Sequence, residues 1–202
     1  IEARPDARPY GLFGLFLSLG AMILIATGAL LVVLCLAALV DYALAQFPGP
    51  PPPADAPGGD EPAVRLLHLA VERLADLAAS YMVAGFVHGV LNTDNMNVSG
   101  ESFDYGPWRW LPRWDPAFTA AYFDETGLYS FGRQPEAAFW NLQQLAGCLS
   151  LVAGSDALVA ALNGFTLAYR EALRTAILAR LPGSRAAALI SMSSGLSSHS
   201  EL

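Results

Sequence analysis

The sequence of 202 residues contains no lysine; all 11 basic residues are arginine. No lysine ammonium is therefore on hand within it to neutralise a phosphate. Charge of any kind is sparse, at 14% of residues, and the balance is acidic, with a formal net charge of −7 and an isoelectric point near 4.8. There is no basic run, which argues against nucleic acid as the main partner. The two cysteines, Cys35 and Cys148, are too few and too far apart for a disulfide framework or a metal-ligand spacing. His68, His88 and His199 are too scattered to suggest a zinc site. The chain begins at Ile1 rather than Met and is expected to be a fragment, one domain or part of a larger one.

What the chain has in excess is apolar residue, and one segment inflates the figure. From Pro9 to Val40 no residue is charged, and residues 10–40 are apolar on every face. A helix of about 20 residues crosses the hydrocarbon core of a bilayer, so this run is long enough to span with some tilt. Arg4 and Arg8 precede it. Other readings stand beside the membrane span. One is a buried core helix. Another is a signal peptide with Ala43-Leu44-Ala45 at its cleavage site, for which the run is too long. The last is a wrongly translated exon.

Residues 41–60 read as a helix end followed by a proline-rich linker or long surface loop. Prolines at 48 and 50–53 cannot continue a helix and favour extended polyproline II; a ligand for an SH3-type domain is the less favoured reading. Helical periodicity returns over 61–84, where Leu67, Ala70, Val71, Leu74, Leu77, Ala78 and Tyr81 form one apolar stripe. Arg65, Glu72, Arg73 and Asp76 fall on the other side, with Glu61 and Arg65 spaced for an i,i+4 pair. Residues 96–111 suit short strands around a Ser99-Gly100 turn, and the irregular stretch after them is rich in aromatics expected to serve packing. Helices are expected over 135–151 and again from Ser155-Asp156 to Pro182-Gly183, the latter with Leu158, Leu162, Phe165, Tyr169 and Leu173 facing the core. Glu171 and Arg174 read as a solvated pair. The tail over 183–202 is serine-rich and expected to be disordered.

The polar residues of this chain concentrate in "HGVLNTDNMNVSGESFDYGP", residues 88–107. Ordinary turn chemistry uses the same residue types to satisfy its own backbone. A magnesium and phosphate site uses them differently. Mg²⁺ prefers hard oxygen ligands and takes one or two carboxylates together with substrate phosphates. In that reading Asp104 is the carboxylate ligand, Asn95 the carbonyl ligand, and Asp94 stays free to accept a proton from an attacking hydroxyl. The division of labour is that of kinases, with Asp104-Tyr105-Gly106 in place of D-F-G. The spacing departs from theirs, since Asp94 and Asn95 are adjacent. Asn97-Val98-Ser99 also matches a glycosylation sequon, but its place between the expected metal ligands argues against a glycan.

The wider stretch "GFVHGVLNTDNMNVSGESFDYGPW", with "GLYSFGRQP" and Trp140-Asn141-Leu142 after it, closely resembles the selenoprotein O family. "LVDYALAQFP" resembles the helix that precedes this region in the family, so the likeness covers residues 37–180. The resemblance implies a kinase-like fold once classed among pseudokinases. It also implies transfer of AMP from ATP, bound in a flipped orientation, to Ser, Thr or Tyr hydroxyls of proteins, releasing pyrophosphate with Mg²⁺ or Mn²⁺. It carries Asp94 over as proton acceptor, Asn95 and Asp104 as metal ligands, Asp104 also near the ATP phosphates, and His88 and Gly89 as loop-shaping residues. Eukaryotic members are mitochondrial. The family's phosphate-binding lysine and its glutamate partner have no counterpart here, no selenocysteine occurs, and the apolar run stands where the family has a polar S-H-I-R-x-G-T-F stretch.

The expected architecture is mainly α with a few short strands, the C-lobe portion of a protein-kinase-like fold over 61–182, preceded by an apolar helix. A non-catalytic, membrane-anchored scaffold is the alternative.

Overall fold

The computed structural model describes residues 9–181 and 183, with the backbone alone described along 9–20. The disorder expected of the tail concerns residues outside that range. The described residues form helices α1 (Pro9–Gln46), α2 (Pro62–Ala84), α3 (Gln134–Leu149), α4 (Ser155–Asn163) and α5 (Phe165–Arg180). Strands β1 (Phe86–Val87) and β2 (Arg109–Trp110) pair antiparallel, Phe86 opposite Trp110 and Val87 opposite Arg109. The mainly helical architecture with sparse strand is the one expected.

The core is built around α2. Pro62 sits in its first turn, where a missing N–H costs nothing, and Gly85 ends it in the left-handed conformation at φ 67°. The end of α1 and helices α3, α4 and α5 all pack on α2. The buried face is therefore wider than the single stripe the periodicity suggests. Ala63, Ala75 and Ala79 are buried too, and their small side chains let the surrounding helices approach. Leu77 and Tyr81, expected in the stripe, are only half-buried. Val64, Leu67, Leu142 and Leu149 are fully buried in this core, each aliphatic side chain contributing about 1.5–3 kcal/mol.

Three local expectations are corrected. Arg65 makes no ion pair with Glu61 among the described residues; its Nε is buried without a partner. The last helical region is two helices that meet at Gly164, and the residue at the α4 N-cap is Gly154 rather than Ser155-Asp156. The aromatics of the long loop are mostly exposed rather than packed, Tyr122 at 95% and Trp114 at 74%, although Trp114 lies edge-on to the buried Phe131 at 5.4 Å. Glu171 and Arg174 do form the solvated pair, at 3.1 Å.

α1 is one continuous helix, about 57 Å long at 1.5 Å per residue. Among its described side chains, those of Val40 and Ala43 in the last turns are buried in the core. From residue 21 on, its large side chains stand in the open, Leu24 at 75% and Met22 at 66% exposure, so the described residues do not bury it as a core helix. After α1 the proline-rich stretch is a surface loop pinned to α2. Arg73 donates to Phe47 O at 2.8 Å and to Pro48 O at 2.9 Å, and Gly49 lies where a Cβ would stand 2.5 Å from Leu69.

Candidate active site

β1 leaves α2 at Gly85 and runs into the polar segment, which folds back on itself as a hairpin. Asn92 caps a 3-10 turn over Thr93–Asn95 by accepting the Asp94 N–H at its Oδ1, 3.1 Å away. The chain then returns through a bridge between Met96 and Ser102 and a hydrogen bond from Phe103 N to Asn95 O of 3.1 Å. The backbone of Asn95 is thus paired with Phe103, the residue before Asp104, at the open end of one hairpin. The short strands expected over 96–111 reduce to this bridge and to β2.

Two glycines make the hairpin fit. Gly89 has φ 89°, and a Cβ there would stand 2.9 Å from Pro107 and 3.1 Å from Ala120. At Gly100, φ 81°, a Cβ would meet Arg73 at 2.7 Å. Arg73 donates from Nη1 to Val98 O at 3.0 Å, so the guanidinium that holds the loop after α1 also holds the hairpin. Asn97, in the sequon, accepts the Ser99 N–H at 2.9 Å; this is turn chemistry within the hairpin.

Side chains fix the loop from inside. His88 is fully buried. Its Nδ1 accepts from Val90 N at 3.3 Å, so the proton sits on Nε2, which donates to Phe103 O at 2.9 Å. Burial lowers the His88 pKa below 6.5, opposed by the Phe103 carbonyl and by Asp104. The neutral imidazole therefore bridges the two arms of the hairpin, the loop-shaping part expected of it. Asn95, 6% exposed, donates from Nδ2 to Val90 O at 2.7 Å. An amide oxygen cannot face that carbonyl, so the orientation is fixed by chemistry. Its Oδ1 makes no hydrogen bond among the described residues and remains available as a hard oxygen donor.

Asp94 and Asp104 are both exposed. Asp104 has φ 56°, and it is the one non-glycine among the described residues with a positive φ. That backbone is costly for a residue with a Cβ, although Asp tolerates it better than most. Among the described residues no three His, Cys, Asp or Glu side chains cluster as a metal site. The donor set here is one amide oxygen and one carboxylate, which suits Mg²⁺ completed by phosphates and waters. A hollow of about 450 Å³ adjoins the turn, lined by Thr93, Met96, Trp140 and Leu145 among others, but not by Asp94, Asn95 or Asp104.

Sequence reasoning gave no role to Gln134, Asn141 or Arg73. The first two were visible only as letters of a family pattern, and the third as one charge on a polar face.

The family model described as protein adenylyltransferase SelO matches residues 35–193. The chain belongs to that family. A protein of a Synechocystis species, called protein nucleotidyltransferase YdiU, is 42% identical over 146 residues, 72% of this chain and 30% of that protein. A YdiU of Synechococcus is 50% identical over 110 residues, 54% of this chain and 22% of the relative. One from Rhodopseudomonas palustris is 40% identical over 150 residues, 71% and 30% of the two chains. The chain therefore spans about a third or less of the length of these relatives. The SelO match takes in the hairpin and α2–α5, whereas α1 up to residue 34 lies outside it.

Proposed function

We propose that this chain supplies the catalytic hairpin of a protein adenylyltransferase, which moves AMP from ATP to Ser, Thr or Tyr hydroxyls of other proteins. The observation that supports the reading is the uncommitted Oδ1 of the buried Asn95, on a hairpin whose backbone pairs Asn95 O with the N–H of Phe103, the residue before Asp104. Asn95 Oδ1 and Asp104 would hold Mg²⁺, which supplies neutralisation of the nucleotide phosphates. Asp94, exposed on the adjoining turn, takes the proton of the acceptor hydroxyl. The hydroxyl oxygen bonds to the α-phosphorus, the bond from that phosphorus to the bridging oxygen breaks, and pyrophosphate leaves. A positive φ at Asp104 fits this reading, because strained backbone tends to persist where geometry serves chemistry. The kinase-like character of residues 61–182 belongs to the same proposal. A scaffold without activity is less well supported, since the matching family model is described as an adenylyltransferase and the relatives are called nucleotidyltransferases.

The test is made in the full-length protein with ATP labelled at the α-phosphate. Asp94→Asn should lower kcat by about 100-fold or more while leaving the KM for ATP unchanged, as a proton acceptor acts in the transition state. Asp104→Gly, which relieves the backbone while removing the carboxylate, should abolish transfer in a folded protein. Full activity in either variant removes the reading.

We further propose that α1 lies in a membrane. Among the described residues, Ala21–Gln46 is the one helical stretch long and apolar enough to cross one, its 18-residue apolar window having a mean hydropathy of 2.9 and 6% burial. Side chains this apolar and this exposed have no favourable solvent other than lipid or another apolar surface.

A further inference from the structure

The hairpin that carries Asp94 and Asn95 hangs from β1, a strand of two residues whose only strand partner among the described residues is β2. So short a ladder leaves most of the loop backbone to be satisfied elsewhere. α3 does this with two carboxamides seven residues apart, two turns along one face. Gln134, fully buried at the start of α3, accepts the His88 N–H at Oε1, 3.0 Å away, and donates from Nε2 to Phe86 O at 2.9 Å. That is the donor and acceptor pair a neighbouring strand would offer to alternate residues. Asn141, 7% exposed, donates from Nδ2 to Leu91 O at 3.0 Å and to Ala137 O at 2.9 Å.

Asn141 meets these carbonyls at a cost. Its Oδ1 is buried with no hydrogen-bond partner. Turning the amide over would press that oxygen against two carbonyls, so the orphan is a consequence of holding Leu91. An apolar side chain would escape the cost and fill the same space, but it would free the loop.

We infer that Gln134 and Asn141 are positioning residues: α3, through these two amides, sets where Asp94 and Asn95 stand. The inference rests on the proposed role of the hairpin. Its two anchor points, Phe86–His88 and Leu91, bracket the stretch from the end of β1 to the 3-10 turn, and Asn95 completes the hold through Val90 O at 2.7 Å. A loop fixed at three points delivers its carboxylate within the fraction of an ångström that catalysis needs, and displacement by about 1 Å costs about 100-fold in rate.

The experiment uses the full-length protein and two near-isosteric variants, Gln134→Glu and Asn141→Leu. The first keeps the acceptor for His88 N but turns a carboxylate toward Phe86 O. The second exchanges the Oδ1 orphan for a bare Leu91 carbonyl, so global stability should change little. Amide hydrogen exchange is followed at residues 88–95 and, as a reference, in α2. Both variants should expose the loop amides selectively, with α2 protected as in the wild type. Labelled ATP should show kcat reduced about 100-fold with the KM for ATP unchanged. Unchanged exchange at 88–95, or loop and α2 exposed together, overturns the inference. So does a loosened loop with undiminished kcat. If the wild type transfers no AMP at all, the proposed activity fails, while the exchange arm still decides whether α3 orders the loop.

Discussion

At the scale of single residues, neutral polar groups do most of the building here, and their protonation and tautomer follow from the partners. His88 must be neutral to accept from Val90 and donate to Phe103 at once. His68 is half-buried and has no such employment. Its Nε2 is buried without a partner on the face of α2 near the proline-rich loop. Burial holds its pKa below 6.5, opposed in part by the Glu72 carboxylate one turn on. The sign follows from linkage. The fold favours the neutral ring, the unfolded chain takes up a proton more readily, and the contribution is present above the unfolded value and lost as pH falls through the folded one. Stability to urea should therefore fall as pH is lowered from about 7 to about 5, and His68→Leu should flatten that slope. A slope unchanged in the variant would place the acid sensitivity elsewhere.

At the scale of elements, the hairpin, the loop after α1 and α2 meet at Arg73. Its guanidinium donates to Val98, Phe47 and Pro48 carbonyls at 3.0, 2.8 and 2.9 Å. Hydrogen bonds from a charged group contribute about 1.5–3 kcal/mol each, less where exposed, and removal of all three should cost about 2–3 kcal/mol. Urea denaturation of Arg73→Ala should show that loss, and Arg73→Lys should recover only part of it, since one ammonium cannot reproduce a planar fork. A variant as stable as the wild type would mean that the three carbonyls are equally well served by water. Periodicity could place Arg73 opposite the apolar stripe of α2, and it did; it carries no information on how far a long side chain reaches or on which carbonyls lie there. The same limit explains the other gaps. α2 was legible because its apolar spacing is regular and glycine ends it. The break at Gly164 was not, because that glycine keeps helical dihedrals, φ −67° and ψ −20°, and the apolar spacing runs on through it. Asp94, Asn95 and Asp104 could be named from residue types alone, whereas the freedom of Asn95 Oδ1 depends on Val90, whose carbonyl has no signature in sequence.

At the scale of the whole molecule, the apolar helix α1 and the polar hairpin meet on α2, and the loop after α1 is pinned there by Arg73. Val40 and Ala43 are already in the core, so α1 leaves the domain directly, and the domain would stand at the membrane face. Phosphate binding needs more positive charge than the hairpin offers. The chain has no lysine and a net charge of −7. Of its arginines near the site, Arg133 is taken up by Glu136 at 2.9 Å, and Arg109 turns back to the Trp108 carbonyl at 2.8 Å. An ATP triphosphate brings more negative charge than one Mg²⁺ neutralises, and each missing electrostatic contact costs about 10²–10³ in rate. Residues 1–202 alone, mixed with lipid vesicles, labelled ATP and Mg²⁺, should therefore float with the vesicles and transfer almost no AMP to a generic acceptor protein. Residues 35–202 should stay behind in the soluble fraction and be equally inactive. Vesicle binding that survives removal of residues 1–34 would overturn the membrane role of α1. Robust labelling by either chain, lost in Asp94→Ala, would show that the hairpin and its arginines suffice for the phosphates, and that the electrostatic argument from the absent lysine is wrong.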